Sequence, residues 1–140
     1  MIKIVYWSGT GNTEKMAKNI EAGLIQSGKE VHTNEVFNSK VEEIINADLI
    51  VLGCPSMGAE QLEEDEMRPF VDSLLPEVSG KKVALFGSYG WGDGEWMANW
   101  AEEMKVAGAV LVADPLTINE FTDGQDEEIC KDYGKTIASV

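Results

Sequence analysis

Ser8-Gly9-Thr10-Gly11-Asn12-Thr13 lies between an apolar run, Ile2 to Trp7, and a helical pattern that begins near Glu14. The order of apolar run, small loop and helix places the loop at the carboxyl end of a first strand. Its backbone N–H groups gather at the start of the next helix, where the helix dipole adds positive potential, so the loop is a natural seat for a phosphate. It contains no Lys or Arg. An anion there is held by neutral donors only: amides, the hydroxyls of Ser8, Thr10 and Thr13, and the Asn12 carboxamide.

Working outward, apolar β-rich runs alternate with helical patterns. Strand 1 is read over Ile2–Trp7 and helix 1 over about Glu14–Gln26, where Met16, Ala17, Ile20 and Leu24 recur at three- and four-residue steps. Gly28 suits the C-terminal cap. Glu30–Val36 alternates polar and apolar residues, as an edge strand does. Val41–Ile45 is a short helix. Asp48–Gly53 holds the unbroken run Leu49-Ile50-Val51-Leu52 of a central parallel strand. A long acidic loop from Pro55 to about Glu66 leads to a helix over roughly Pro69–Leu75. Lys82–Gly87 is strand 4, and Asp93 is positioned to cap a helix that runs to about Ala107. Ala109–Ile118 is strand 5, placed at an edge because Pro115 interrupts its ladder. A last helix spans about Gln125–Ala138.

This βα alternation predicts an α/β fold, a doubly wound parallel sheet with helices on both faces, in a single domain over residues 1–140. Ligands in such sheets bind beyond the carboxyl ends of the strands, where the strand order reverses. Residues 8–13, 54–60 and 88–94 all fall at those ends, and their unusual compositions support one composite site.

The formal charge of −14 excludes nucleic acid and anionic membranes as partners, since both require basic surface. It favours partners with basic docking patches. No apolar run approaches the ~18 residues of a membrane span. Two cysteines far apart and no leader-like segment fit a reduced cytoplasmic compartment. With His32 the only histidine, a histidine-based metal cluster is excluded; no metal ligands and no catalytic residues are expected.

Three stretches together resemble the flavodoxins, in the short-chain form found in anaerobic bacteria. They are Ile4–Thr13, Gly53-Cys54-Pro55-Ser56-Met57-Gly58, and Ala84–Gly94, which contains Ser88-Tyr89-Gly90-Trp91-Gly92. The resemblance covers the whole chain. It implies a five-stranded, three-layer sheet of order 2-1-3-4-5 with FMN at the switch point; that order comes from the family itself, not from periodicity. It also implies tight, non-covalent FMN and service as a low-potential electron carrier.

By that resemblance, Ser8, Thr10, Asn12 and Thr13 donate to the FMN phosphate while Gly9 and Gly11 let the backbone approach; Trp7 covers the loop. Trp91, between Gly90 and Gly92, stacks on the outer face of the isoalloxazine, and Met57 packs on the inner face. The Gly58 carbonyl accepts a hydrogen bond from flavin N5–H of the neutral semiquinone, in a turn with Gly58 and Ala59 at its central positions. Glu60 accepts from flavin N3–H. Ser88, Tyr89 and Gly90 contribute contacts to the flavin edge or ribityl chain. Ala59 stands where relatives often carry a polar residue, so the redox balance is expected to differ. Pro55 stands where some relatives carry a Ser that contacts the ribityl chain; Ser56 is the candidate to compensate. Trp96 and Trp100, four apart on a helix, are expected in the core or its rim.

The function implied is shuttling between semiquinone and hydroquinone, as a monomer, with ferredoxin-type oxidoreductases and reductases as partners. The hydroquinone is an anion that nearby acids disfavour. One carboxylate at ~12 Å in a water-like dielectric contributes only ~0.35 kcal/mol, or ~15 mV, so a cluster is needed. Glu60, Glu63, Glu64, Asp65, Glu66, Asp93, Glu95 and Glu120 lie near the loops and would also steer basic partners. An alternative is a small NAD(P)H-dependent FMN quinone reductase of related fold, which needs a nicotinamide face and usually a dimer. A response-regulator receiver needs clustered acids after strand 1 and an Asp ending strand 3; Trp7-Ser8-Gly9 and Gly53-Cys54-Pro55 stand there instead. A flavin-free interaction domain is opposed by the intact loops.

Overall fold

The computed structural model describes residues Met1–Val140. Its sheet holds β1 (Ile2–Tyr6), β2 (Val31–Glu35), β3 (Leu49–Gly53), β4 (Lys82–Tyr89) and two short strands, β5 (Val110–Leu111) and β6 (Leu116–Asn119). The spatial order is β2-β1-β3-β4-β5, with β6 also paired to β4, and every pairing is parallel. The helices are α1 (Asn12–Gln26), α2 (Val41–Ile44), α3 (Met67–Leu74), α4 (Glu95–Val106) and α5 (Gln125–Ala138).

Successive strand residues point to opposite faces, which divides the core in two. Ile4, Val51, Ala84 and Phe86 meet α1 and α5 through Met16, Ile20 and Cys130. Val5, Ile50, Leu52 and Leu85 meet α3 and α4 through Val71, Leu74, Trp96, Trp100 and Met104. β3 is buried along its whole length, the reason its sequence is continuously apolar. β2 lies at the edge, with His32 and Asn34 exposed.

Two sequence expectations are corrected. The fifth strand is not continuous over Ala109–Ile118. Between the Val83–Leu111 and Phe86–Leu116 pairs the outer chain takes five steps against three on β4. Pro115, which has no N–H for the ladder, sits in this bulge. The Tyr133 hydroxyl lies 3.3 Å from the Leu85 carbonyl and 2.9 Å from that of Asp114, bridging the gap. Nor does Asp93 cap α4: Gly94 holds the cap position at φ +89 without a side-chain bond of its own, and the acceptor arrives from another loop.

Because all strands run the same way, their carboxyl ends share one edge. Four segments converge there: 7–13, 54–61, 89–94 and the turn after β6.

Candidate functional site

The first loop is held by its own serine. Ser8 Oγ accepts the N–H of Gly11 at 3.1 Å and of Glu14 at 3.3 Å, which leaves the hydroxyl proton free to donate. Gly11 turns the chain into α1 at φ +97. The amides of Asn12 and Thr13 open the helix and have no intrahelical partner, as first-turn amides do not. The Thr13 side chain is buried, its hydroxyl 2.9 Å from that of Ser88, itself buried. The Trp7 indole N–H donates to Glu66 Oε1 at 3.1 Å, so Trp7 offers the site a ring face, not a donor.

The second loop prolongs the sheet. Cys54 N–H donates to Phe86 O at 3.1 Å and Ser56 N–H to Ser88 O at 3.0 Å. Pro55 falls between these bonds, where its missing N–H removes neither. Burial pushes the Cys54 thiol up to about 12, so it is a neutral packing group. Met57 and Gln61 then exchange two backbone bonds of 2.9 Å, closing a hairpin over Gly58, Ala59 and Glu60. The closure has three residues, one more than the turn read from the sequence. Gly58 has the expected positive φ, +50, and Glu60 also lies in the left-handed region at φ +53.

Behind the hairpin, Glu63 is only 6% exposed, which corrects its placement among the surface acids. Its carboxylate accepts three amides, from Asp65 and Glu66 at 2.8 Å and Met67 at 2.9 Å. Burial by itself raises its pKa, but these bonds together outweigh burial and hold it below the ordinary 4.5. Glu66 is likewise engaged, by Trp7. Glu64, Asp65, Asp93, Glu95 and Glu120 remain exposed.

In the third loop, Trp91 is 65% exposed, whereas Trp96 and Trp100 are in the core. Trp96 Nε1 donates to the Cys54 carbonyl at 3.1 Å, locking α4 to the second loop. Glu60 Oε1 accepts the N–H of Gly94 and of Glu95, both at 3.2 Å, and supplies the cap that Asp93 does not. Carboxylate oxygens of Glu60, Asp93 and Glu95 all lie within 4.8 Å of one another.

These loops enclose a cleft of about 330 Å³ lined by Trp7, Gly9, Thr10, Asn12, Pro55, Ser56, Met57, Ser88, Tyr89, Gly90 and Glu120. Ser8, Gly11 and Thr13 support it from beneath or beside. Gly58, Ala59, Glu60, Trp91 and Gly92 do not line it; the hairpin and the Trp91 loop stand outside. Glu120 is the lining residue that the sequence marks only as a nearby acid. It sits at φ +49, its N–H bonded to Tyr89 O at 2.9 Å. The available signal was its place just after the last strand, on the same sheet edge. A second cleft, about 350 Å³, lies between Glu60, Arg68, Trp96 and Glu103. It contains the Arg68–Glu103 ion pair and no part of the phosphate loop.

The residues fit FMN. The cleft falls in the usual size range of ligand sites and has no basic residue among those lining it, so an anion there would rest on amides and hydroxyls at a helix start. A Cβ on Gly9 would stand 2.9 Å from the Trp7 ring, so only glycine lets loop and indole lie this close. Met57 and Tyr89 supply apolar and aromatic surface for a planar ring.

A family model described as "Flavodoxin" matches residues 4–132. The chain is 51% identical over 139 residues to the flavodoxin of Clostridium beijerinckii, covering 99% of this chain and 100% of that protein. It is 45% identical over 140 residues to the flavodoxin of Megasphaera elsdenii, covering 100% of both. A solution structure of two-electron reduced Megasphaera elsdenii flavodoxin superposes with a TM-score of 0.91, at 44% identity and full coverage of both chains.

Proposed function

The chain belongs to the flavodoxin family, and from that premise we propose that it works mainly between the one-electron and two-electron reduced levels of its FMN, serving redox proteins with basic docking patches. It is an electron-transfer flavoprotein whose cofactor is FMN, not an enzyme. The flavin supplies one-electron chemistry when bound; the protein holds it and tunes its energetics.

Each site residue has a role in this reading. Ser8, Thr10, Asn12, Thr13 and the opening amides of α1 hold the phosphate, with Gly9 and Gly11 giving the backbone room. Pro55, Ser56, Ser88, Tyr89 and Gly90 line the ribityl chain and ring edge. Met57 and Trp91 exclude water from the ring faces, Gly92 giving Trp91 its freedom, and Trp7 covers the phosphate loop. Ala59 shapes the hairpin tip.

The observation that carries the redox reading is the hairpin. Gly58 lies at positive φ, with open space where a Cβ would stand, so its peptide is free to reorient. Its carbonyl oxygen would then accept a hydrogen bond from N5–H of the bound flavin. A net hydrogen bond of roughly 1–1.5 kcal/mol corresponds to several tens of millivolts for a one-electron couple. Glu60 uses Oε1 for α4 and has Oε2 to accept from N3–H. The exposed acids Glu64, Asp65, Asp93, Glu95 and Glu120 disfavour a negative charge on the ring and attract basic partners such as ferredoxin-type oxidoreductases and reductases.

The chain reads as one FMN-binding unit acting as a monomer. A cytoplasmic setting is supported by the two unpaired thiols, Cys54 and Cys130, buried on opposite faces of the sheet. No helix is long and apolar enough to cross a membrane. The test is anaerobic stepwise reduction of the yellow protein. A long-wavelength visible band that rises and then falls as equivalents are added is expected. Direct bleaching without it defeats the one-electron reading.

A further inference from the structure

The chain leaving the hairpin that carries Gly58 is held at the turn into α3 by a carboxylate that does not line the flavin cleft. Glu63 Oε2 accepts the Asp65 N–H, and Oε1 accepts those of Glu66 and Met67. The N–H of Glu63 points to Cys54 Sγ at 3.4 Å, and the Cys54 carbonyl accepts the Trp96 indole. Cys54 directly follows β3 and Glu63 precedes α3, so the two ends of segment 55–62 are tied to each other and to α4. At the tip, Gly58 and Ala59 are exposed, closed off only by the two Met57–Gln61 bonds. The Glu63 carboxylate forms no ion pair. Burying an unpaired charge is costly unless hydrogen bonds compensate it, and here all the compensation comes from the backbone of the turn into α3.

We propose that Glu63 is a positioning residue for the redox hairpin: it fixes the base of segment 55–62 so that backbone movement on reduction is confined to Gly58 and its neighbours. This rests on the hydrogen-bond change at Gly58 in the proposed function. A loose base would let the whole segment relax in every redox state, and the Gly58 carbonyl would no longer discriminate between them.

The test uses the full chain loaded with FMN and compares E63Q, E63D and E64Q. E63Q keeps an acceptor for Glu66 and Met67 but turns an NH2 toward the Asp65 amide. E64Q removes the same charge from an exposed neighbour and controls for electrostatics. Two readouts are taken: the two one-electron potentials, and hydrogen exchange of the Met57 and Gln61 amides, which close the hairpin, in the oxidised protein. E63Q is expected to draw the potentials together by about tenfold in the corresponding equilibrium ratio, ~59 mV, and to speed exchange at Met57 and Gln61 several-fold. E64Q leaves that exchange unchanged. The proposal is overturned if E63Q matches E64Q in potentials and alters exchange only at residues 65–67, as a mere helix cap would. Should E63Q not fold, E63D, which keeps the charge, decides by the same two readouts. A parent protein without two resolved steps sinks the redox reading instead, and the exchange measurement then decides alone on Glu63.

Discussion

Glu60 Oε1 accepts the backbone N–H of Gly94 at 3.2 Å across 34 positions of sequence, so the hairpin beside the cleft also caps α4. The same oxygen accepts the Glu95 N–H. Glu60→Ala is expected to lower stability by about 1 kcal/mol, the usual cost of losing a helix N-cap acceptor, while Glu60→Gln retains most of it. Urea unfolding of the apoprotein, where no flavin contributes, checks this.

Gly58 at φ +50 is tolerant of reorientation in a way that a side chain is not. Gly58→Ala is expected to destabilise one peptide orientation by roughly 1–2 kcal/mol, the left-handed penalty for an L-residue. The separation between the two one-electron potentials should therefore shift by tens of millivolts, and the midpoint of chemical unfolding should fall, because φ +50 is the conformation of the folded chain. Potentiometric titration gives the separation directly.

Trp91 is 65% exposed, so removing it disturbs little of the core. Trp91→Ala is expected to leave apoprotein stability within ~0.5 kcal/mol, as for most surface substitutions. FMN affinity should weaken about tenfold, since an aromatic pair adds ~0.5–1.5 kcal/mol beyond its buried area. Fluorescence titration of the apoprotein with FMN measures it. An unchanged affinity would remove Trp91 from the site.

Thr13 and Ser88 share a buried hydrogen bond of 2.9 Å between the first loop and β4. Thr13→Val leaves the Ser88 hydroxyl unpaired and is expected to cost about 1–3 kcal/mol. Adding Ser88→Ala removes the orphaned group, so the double variant should lose less than the two single losses summed. A coupling energy near zero in this cycle would mean the pair is not an interaction in solution.

The Glu63 carboxyl has its pKa held below the ordinary 4.5. A depressed carboxyl pKa contributes stability that is fully present above the unfolded value and is lost as pH falls through the folded value. The stability difference between the parent protein and E63Q should be flat at pH well above 4.5 and should shrink as pH falls below it. Unfolding free energies measured across that acid range check the sign.

Much of the fold was legible because burial on both faces leaves a strong sequence pattern. Leu49-Ile50-Val51-Leu52 reads as a central strand for that reason, and Gln125–Ala138 has the same limits in sequence and structure. Pro115 flagged the weak point of the fifth strand. It did not say that two extra residues would be accommodated there, because register depends on β4 and on the Tyr133 hydroxyl. The acidic run after Pro55 read as a solvated loop. Two of its members, Glu63 and Glu66, are instead structural acceptors, a distinction made by neighbours that composition does not report.

The sequence by itself determined the loops. Ser8–Thr13 combines glycine with neutral donors directly before a helix, and Gly58 and Trp91 sit among residues that suit a mobile turn and an exposed ring; these are local properties of a few adjacent residues. The tertiary structure alone decided which groups meet: Glu60 with the start of α4, Thr13 with Ser88, Trp7 with Glu66, and Glu120 with the cleft. A parallel sheet brings together the carboxyl ends of strands distant in sequence. Pairings across those ends follow from register and strand order, which no local pattern encodes.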